Sequence, residues 1–243
     1  MHTTIKLHQT GQIKAVIFDL DDTLWPILPV IRHAEDTLHE WMVQHAPVVA
    51  QQFSSARLRE LRNALLLAEP SYQIDLWKLR HKVLSHAFAL SDTDVKLVDT
   101  AMEVFSHARN AVTPFADVVP SLQRLATQHR LGSISNGFAD LTQIGLAHHF
   151  SYSIAAHQSG CAKPDPAIFL GACEALGVLP AETVYVGDDL QLDVVGAQNA
   201  GLRAVWMKRS GIADNKQLPE HIVPDAVCAT LTELETWLAM AGE

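Results

Sequence analysis

The sequence contains few cysteines and comparatively little positive charge. Its 243 residues include three cysteines, Cys161, Cys173 and Cys228. This odd, widely spaced set indicates reduced thiols rather than disulfides and predicts a cytoplasmic location. Lysine and arginine total 18 against 27 acidic residues, which gives a net charge of −9. Because that balance argues against a general nucleic-acid or anionic-membrane surface, we expect neither nucleic acid nor membrane as a partner.

The signatures of several protein classes are also missing. No apolar run approaches the roughly 20 residues of a membrane span. The opening "MHTTIKLHQTGQIK" lacks the apolar region of a signal peptide, so none is expected. Without CxxC or HExxH spacing, the cysteines and the 13 histidines do not support a zinc site. Without a GxGxxG or GxxxxGK(S/T) loop, a nicotinamide enzyme or a P-loop NTPase is poorly supported.

What is present is an alternation of strand and helix patterns that is typical of α/β proteins. Helical patterns lie between most of the short apolar runs that predict strands. These runs are "IKAVIFD" (13–19), "LGSISN" (131–136), "YSIAA" (152–156), "TVYVGD" (183–188), "RAVWMK" (203–208) and "DAVCA" (225–229). The alternation predicts a Rossmann-like core, a parallel sheet with helices on both faces.

The pattern changes between the first and the second predicted strand. Four stretches between residues 27 and 111 repeat apolar residues every three or four positions, which predicts amphipathic helices. Ser54 and Ser91 are suitable N-caps for two of them. We therefore expect a helical-bundle cap domain over residues 25–112, inserted into a core formed by residues 1–24 and 113–243.

Four polar clusters follow the first four predicted strands. They are "DLDDT", "SNG", "KPDP" and "GDDLQLD", in that order. Each cluster alone is an ordinary turn or helix cap. In an open parallel sheet, however, ligands bind beyond the carboxyl ends of the strands. Four clusters at these matching positions therefore predict one ligand site.

The residue types in these clusters indicate phosphoryl transfer. Three converging carboxylates, Asp19, Asp21 and Asp188, need a cation, and all-oxygen ligands favour Mg²⁺. A carboxylate can attack phosphorus and form an aspartyl-phosphate. Asp21 is placed to protonate the leaving oxygen and later to deprotonate the attacking water. The equatorial phosphate oxygens would be bound by the ammonium, hydroxyl and amide groups of Lys163, Ser135 and Asn136.

Together the four motifs resemble those of the haloacid dehalogenase-like (HAD) hydrolase superfamily, over essentially the whole chain. The resemblance implies that Asp19 is the nucleophile and Asp21 the acid/base. It also implies that Mg²⁺ is held by the Asp19 carboxylate, the Asp21 backbone carbonyl and Asp188. Asp193 would contact the metal through water or hold Lys163. The helical insertion lies where the family has its helical cap.

Two neighbours of these residues are expected to be structural. Asp22 should face away from Asp21 or cap the following turn, and Thr23 should stabilise the loop or hydrogen-bond Asp19.

Several activities within the superfamily remain as alternatives. Dehalogenases share the nucleophile but lack an acid at the position of Asp21, so the expected partner is a small-molecule phosphate monoester. A phosphonatase would need a lysine from the cap, where Lys78 and Lys82 are available. A phosphomutase, or a non-catalytic module that binds phosphorylated metabolites, would use the same fold.

Substrate choice should come from the cap, because the core residues contact only the phosphate. The segments "LPVIRHAE" (28–35) and "LRNALLLAEPSYQIDLWKLR" (61–80) resemble bacterial HAD enzymes that dephosphorylate 5-amino-6-(5-phospho-D-ribitylamino)uracil in riboflavin biosynthesis. Trp25 stands where a Tyr or Phe is expected after the first motif. FMN and sugar phosphates are the alternative substrates. A phosphorylated polyol attached to a heterocycle is expected if at least two of four cap residues face the core: Arg32, Tyr72, Trp77 and Arg80.

Overall fold

The computed structural model describes residues 12–212 and 216–241. The N-terminal stretch, for which no signal peptide is expected, lies outside the described residues as far as position 11. Across the described ranges, no helix is both long enough and apolar enough to cross a membrane.

The described residues form a six-stranded parallel sheet that confirms the predicted strands. The strands are β1 Ala15–Phe18, β2 Arg130–Ser135, β3 Tyr152–Ala155, β4 Thr183–Gly187, β5 Arg203–Met207 and β6 Ala226–Cys228. Their order is β3-β2-β1-β4-β5-β6, and every pairing is parallel. The strand order reverses between β1 and β4, so a crevice opens at the carboxyl ends of these two strands.

The helices fall into a bundle and a set that covers the sheet. In chain order they are α1 Ile27–His45, α2 Pro47–Gln52, α3 Ser55–Ala68, α4 Leu76–Leu90, α5 Leu97–Arg109, α6 Val118–Leu125, α7 Leu141–Ile144, α8 Ala156–Ser159, α9 Pro166–Leu176, α10 Gly196–Asn199 and α11 Leu231–Ala241. Short 3₁₀ turns cover Pro70–Gln73, Ala147–His149 and Pro180–Glu182, and a π-helical segment covers Leu190–Val195.

The alternation of side chains along β1 creates an apolar core on each face of the sheet. Val16 and Phe18 pack in a cluster with α6 and α11, whereas Ala15 and Ile17 pack in a second cluster with α9. All four side chains are fully buried. Successive strand residues point to opposite faces, and a strand covered on both faces is apolar throughout. The prediction of a Rossmann-like sheet with helices on both faces is thus confirmed.

Helices α1–α5 have an apolar core of their own. Its buried residues include Leu38, Met42, Phe88 and Phe105, and they form a cluster separate from the two clusters beside the sheet. The bundle lies within the range 25–112 that the sequence assigns to a cap.

Hydrogen bonds join the two segments that connect the bundle to the sheet, one before α1 and one after α5. The backbone N–H of Phe115 donates to the carbonyl of Leu24 at 3.0 Å. The buried side chain of Arg209 donates from Nε to the Thr23 carbonyl at 3.0 Å and from Nη1 to the Asp117 carboxylate at 2.8 Å. One arginine therefore holds both connections against the sheet.

Of the two predicted N-caps in the bundle, one is confirmed and the other is wrong. Ser54 accepts a hydrogen bond from the backbone N–H of Arg57 at 3.3 Å, as a cap of α3 should. Ser91 instead ends α4, and its hydroxyl donates to Gln52 Oε1 at 3.1 Å. The chain turns at Asp92, where φ is 50°, so α5 begins several residues later than the sequence pattern indicates.

Candidate active site

The carboxyl ends of β1 and β4 bring Asp19 and Asp188 together. The Asp19 N–H donates to the carbonyl of Val186 in β4 at 2.8 Å, and Asp188 follows the last residue of β4. One carboxylate oxygen from each of Asp19, Asp188 and Asp193 lies within 4.8 Å of the other two. The structure thus places these three predicted site residues in one cluster.

Asp193 approaches the backbone of β4 very closely. It lies on the π-helical segment after β4, a type of distortion that is frequent at functional sites. A Cβ atom at Gly187 would lie 2.3 Å from the carboxyl carbon of Asp193, so only glycine permits this approach. Asp193 accepts from Lys163 Nζ at 2.7 Å and from the Asp189 N–H at 2.8 Å. Since one of these partners is Lys163, the contacts agree with the role of holding that lysine.

Lys163 lies buried among oxygen atoms. Its Nζ donates to Asp19 Oδ1 at 2.5 Å, to Asp193 at 2.7 Å and to the Tyr185 hydroxyl at 3.0 Å. Burial alone lowers the pKa of an ammonium, but Asp19 and Asp193 together raise the pKa of Lys163 well above its usual value. The side chain is therefore a positive charge in direct contact with the predicted nucleophile.

The cluster carries more negative than positive charge, which fits a bound cation. The carboxylates of Asp19, Asp188 and Asp193 face one buried ammonium, and the exposed Lys216 pairs with Asp188 at 2.7 Å. Burial raises the pKa of Asp188 to about 6, although Lys216 opposes the shift. Burial likewise raises the pKa of Asp19 against the influence of Lys163. A divalent ion would offset this excess charge, and a set of carboxylate oxygens suits Mg²⁺.

The carboxylate of Asp21 is held by two side chains and lies beside Ser135. Arg109 Nη2 donates to both of its oxygens, at 2.8 and 2.7 Å, and Trp25 Nε1 donates to Oδ1 at 2.8 Å. A Cβ atom at Gly137 would lie 3.0 Å from Asp21 Oδ2 and 3.3 Å from Ser135 Oγ. The predicted acid/base and the predicted phosphate-binding hydroxyl thus flank the same glycine.

Asn136 contacts the backbone of Lys163. Its Oδ1 accepts from the Lys163 N–H at 2.9 Å, and its Nδ2 donates to the Lys163 carbonyl at 3.0 Å. The amide therefore fixes the segment that carries the ammonium group. A direct contact between Asn136 and a phosphate stays a prediction.

The structural role predicted for Asp22 is confirmed. Its backbone φ is 60°, and its Oδ1 accepts from the N–H of Ile27, the first residue of α1, at 2.9 Å. Thr23 is fully buried, and within the described part of the chain its hydroxyl has no hydrogen-bond partner. The structure thus lacks the expected hydrogen bond from Thr23 to Asp19.

Three residues of the site were not identified from the sequence. Arg109 is 88 positions from Asp21, so no local spacing connects them. Tyr185 resembles any core aromatic in a strand, although its hydroxyl contacts Lys163 and donates to the Ile134 carbonyl at 3.2 Å. Lys216 lies in an irregular segment after β5. Their positions depend on tertiary packing, which the sequence pattern does not record.

A cavity of about 510 Å³ lies beside Ser135, between the bundle and the sheet. Its lining includes polar, mostly uncharged side chains and one indole: Trp77, Ser106, Asn110, Gln143, His157 and Gln158. Of the four cap residues considered for substrate contact, all of them among the described residues, only Trp77 reaches this cavity, so the condition that at least two face the core is not met. Tyr72 and Arg80 pack within the bundle, the latter over the Phe105 ring at 3.7 Å, and Arg32 is exposed.

Comparisons with known proteins agree with this geometry. The family model for haloacid dehalogenase-like hydrolase matches residues 13–201. A curated glyceraldehyde 3-phosphate phosphatase from Methanopyrus kandleri is 31% identical over 88% of this chain and 91% of its own length. The 5-amino-6-(5-phospho-D-ribitylamino)uracil phosphatase of Escherichia coli is 32% identical over 82% of this chain and 84% of its own length.

Two solved structures have the same architecture. A 2-haloacid dehalogenase from Pseudomonas syringae pv. Tomato has 39% sequence identity and a TM-score of 0.86, covering 94% of this chain and 99% of its own. A HAD phosphatase from Thermococcus onnurineus has 29% identity and a TM-score of 0.66, covering 93% and 98%. The fold, the cluster at the ends of β1 and β4 and these matches lead to one conclusion: the chain is an enzyme of the haloacid dehalogenase-like hydrolase family, with phosphatases among its curated relatives.

Proposed function

We propose that this hydrolase is a Mg²⁺-dependent phosphatase that cleaves phosphate monoesters of small metabolites through an aspartyl-phosphate. The observation that carries the proposal is the contact of 2.5 Å between Asp19 and the buried Lys163, with Asp188 and Asp193 beside it. A carboxylate so placed can act as a nucleophile toward a dianion, because positive charge is available at the point of attack.

The reaction consists of two displacements at phosphorus. An oxygen of Asp19 bonds to phosphorus as the ester P–O bond breaks, and the leaving oxygen takes a proton from Asp21. Asp21 then removes a proton from water, whose oxygen bonds to phosphorus and releases Asp19. The products are the alcohol and inorganic phosphate, and both carboxyl groups return to their starting states.

The metal would be held by oxygen ligands from three residues. These are the carboxylates of Asp19 and Asp188 and the backbone carbonyl of Asp21. Asp193 would not bind the metal directly but would hold Lys163 through their ion pair. When bound, Mg²⁺ would supply the positive charge that offsets repulsion between the nucleophile and the phosphate. The insertion of α1–α5 would act as the cap over this site.

The experiment measures phosphate release from an aryl phosphate with and without chelator. Chelation should abolish turnover, Mg²⁺ should restore it, and the larger, less geometrically strict Ca²⁺ should restore it poorly. Asp19→Asn should remove turnover. Asp22→Asn is the matched control, because asparagine tolerates positive φ and keeps an oxygen for the Ile27 N–H. Full activity in excess chelator, or wild-type turnover by Asp19→Asn, would contradict the proposal.

For the substrate, we propose the terminal phosphate of a hydroxylated chain. The cavity beside Ser135 offers hydroxyl and amide groups to such a chain, and Trp77 offers a face to a ring. Two curated relatives are named for substrates of this kind, glyceraldehyde 3-phosphate and 5-amino-6-(5-phospho-D-ribitylamino)uracil. We select the second compound as the first candidate, which would place the enzyme in riboflavin biosynthesis. The indole of Trp77 supports it, whereas Arg32, Tyr72 and Arg80 do not.

Steady-state kinetics can decide among the candidates. We expect kcat/KM for the ribitylaminouracil phosphate to exceed the values for glyceraldehyde 3-phosphate and FMN. Trp77→Ala should reduce it more for the pyrimidine than for the triose, which has no ring to stack. A triose value about tenfold above the pyrimidine value, which corresponds to about 1.4 kcal/mol, would overturn this substrate choice.

The similarity to a 2-haloacid dehalogenase makes halide release the second candidate activity. The acid at Asp21 argues against it, because displacement of a halide needs no proton donor. We therefore expect no chloride release from 2-chloropropionate under conditions in which the aryl phosphate is hydrolysed.

A further inference from the structure

Arg109 connects the helical bundle to Asp21. It is the last residue of α5, and 2% of its surface is exposed. Its Nη2 donates to both oxygens of the Asp21 carboxylate, and the fully buried Trp25 adds a third hydrogen bond through Nε1. Because two donor atoms make three hydrogen bonds to one carboxylate, the side chain of Asp21 has a defined orientation although it lies on a short loop.

Both donors belong to the connections between bundle and sheet. Trp25 lies two positions before α1, and Arg109 ends α5. The connections themselves are joined where Phe115 donates to the Leu24 carbonyl. The orientation of Asp21 is therefore set from both ends of the bundle.

The guanidinium of Arg109 also lies next to the proposed phosphate site. A Cβ atom at Gly137 would lie 3.5 Å from Arg109 Nη2 and 3.3 Å from Ser135 Oγ. Arg109 is thus close enough to influence the reacting groups through Asp21.

Stability alone does not account for this arginine. Within the described residues, its Nη1 is buried and has no hydrogen-bond partner. Leaving a buried donor unpaired costs about 1–3 kcal/mol. We therefore attribute the presence of a buried arginine at this position to the hydrogen bonds that Nη2 donates to Asp21.

We propose that Arg109 and Trp25 are positioning residues that hold Asp21 where it can exchange a proton with the leaving oxygen. This inference rests on the proposed phosphatase function. Proton transfer requires the donor to be within hydrogen-bond reach of the oxygen, and a displacement of about 1 Å can reduce the rate about 10²-fold. Arg109 and Trp25 act through Asp21, and neither needs to touch the substrate.

The test compares two phosphate esters that differ in their need for a proton. Nitrophenolate leaves readily without protonation, whereas the alkoxide of glycerol phosphate needs a proton as the P–O bond breaks. The readout is the ratio of kcat/KM for p-nitrophenyl phosphate to kcat/KM for glycerol phosphate. Both values scale with the concentration of folded enzyme, so a partly unfolded variant still gives a valid ratio.

Arg109→Ala and Trp25→Phe should each raise this ratio by about tenfold or more, in the same direction as Asp21→Asn. Arg109→Lys is a second variant, for use if Arg109→Ala does not fold, and it should raise the ratio as well. Arg124→Ala is the matched control, since Arg124 is an exposed arginine on α6 paired with Glu235. It should leave the ratio at the wild-type value.

The outcomes separate this inference from the function on which it rests. A wild-type ratio in the Arg109 and Trp25 variants, with a raised ratio in Asp21→Asn, would overturn the positioning role alone. A wild-type ratio in Asp21→Asn would overturn the acid/base assignment, and the positioning role with it.

Discussion

The acidic cluster of Asp19, Asp188 and Asp193 can form only because Gly187 has no side chain. Because a Cβ at this position would lie 2.3 Å from the Asp193 carboxyl carbon, Gly187→Ala must displace Asp193 from Lys163. We expect a loss of Mg²⁺-dependent turnover together with a lower free energy of unfolding. The measurements are phosphate release and urea denaturation.

Gly171 provides the matched control for that substitution. It lies in α9, and a Cβ added there would meet nothing within 4 Å. Gly171→Ala should stabilise the protein by about 0.5–1 kcal/mol, because alanine is the better helix former, and should leave turnover unchanged. Equal effects of the two substitutions on turnover would contradict the close approach of Asp193.

The charge of Lys163 is expected to stabilise the fold as well as the reaction. Lys163→Met keeps much of the side-chain volume but leaves Asp19 and Asp193 without their buried partner. Removing one member of a buried ion pair typically costs about 3–5 kcal/mol. We expect a loss of that order in urea denaturation, partly recovered by Mg²⁺. Lys14→Met, which removes an exposed pair with Glu182, should leave the stability close to the wild-type value, because water screens such a pair.

The N-cap of α9 should affect both stability and catalysis, whereas the N-cap of α3 should affect stability alone. Asp165, two residues after Lys163, caps α9 by accepting from the Ala167 N–H at 2.9 Å, whereas Ser54 caps α3 in the bundle. Asp165→Ala and Ser54→Ala should each cost about 1 kcal/mol of stability. Asp165→Ala alone should also lower kcat/KM, because the start of α9 holds the segment that carries Lys163. Equal kinetic effects would contradict this placement.

The same elements show how far sequence reasoning reaches. The strands and the residues directly after them were predictable, because apolar runs and parallel pairing put strand ends at one edge of the sheet. Asp19, Asp188 and Lys163 meet there as expected. The start of α5 was mispredicted, because Asp92 adopts a positive φ that its neighbours do not indicate. The contact between Arg109 and Asp21 could not be predicted either, since Arg109 reaches Asp21 through packing across 88 positions.

The molecule as a whole has separate apolar cores for the bundle and the sheet, and the acidic cluster lies at the carboxyl ends of the central strands β1 and β4. The cluster should make the stability of the whole fold depend on metal. Its carboxylates repel one another, and a cation that binds the native cluster but not the unfolded chain lowers the free energy of the native state only.

We therefore expect Mg²⁺ to raise the midpoint temperature of unfolding. At a concentration about 100 times Kd, the gain in unfolding free energy should be about 2.7 kcal/mol. Asp188→Asn should remove most of this gain, because it removes the charge of one of the three carboxylates that could hold the ion. Asp189→Asn should retain the gain, since Asp189 caps the π-helical segment through the N–H groups of Gln191 and Leu192 and asparagine can do the same. Calorimetry with Mg²⁺ and with chelator measures the difference for each variant. If Mg²⁺ stabilised Asp188→Asn as much as the wild type, the ion would have to bind elsewhere. A cation held by the cluster must bind more weakly after the loss of a carboxylate that lies within 4.8 Å of the other two.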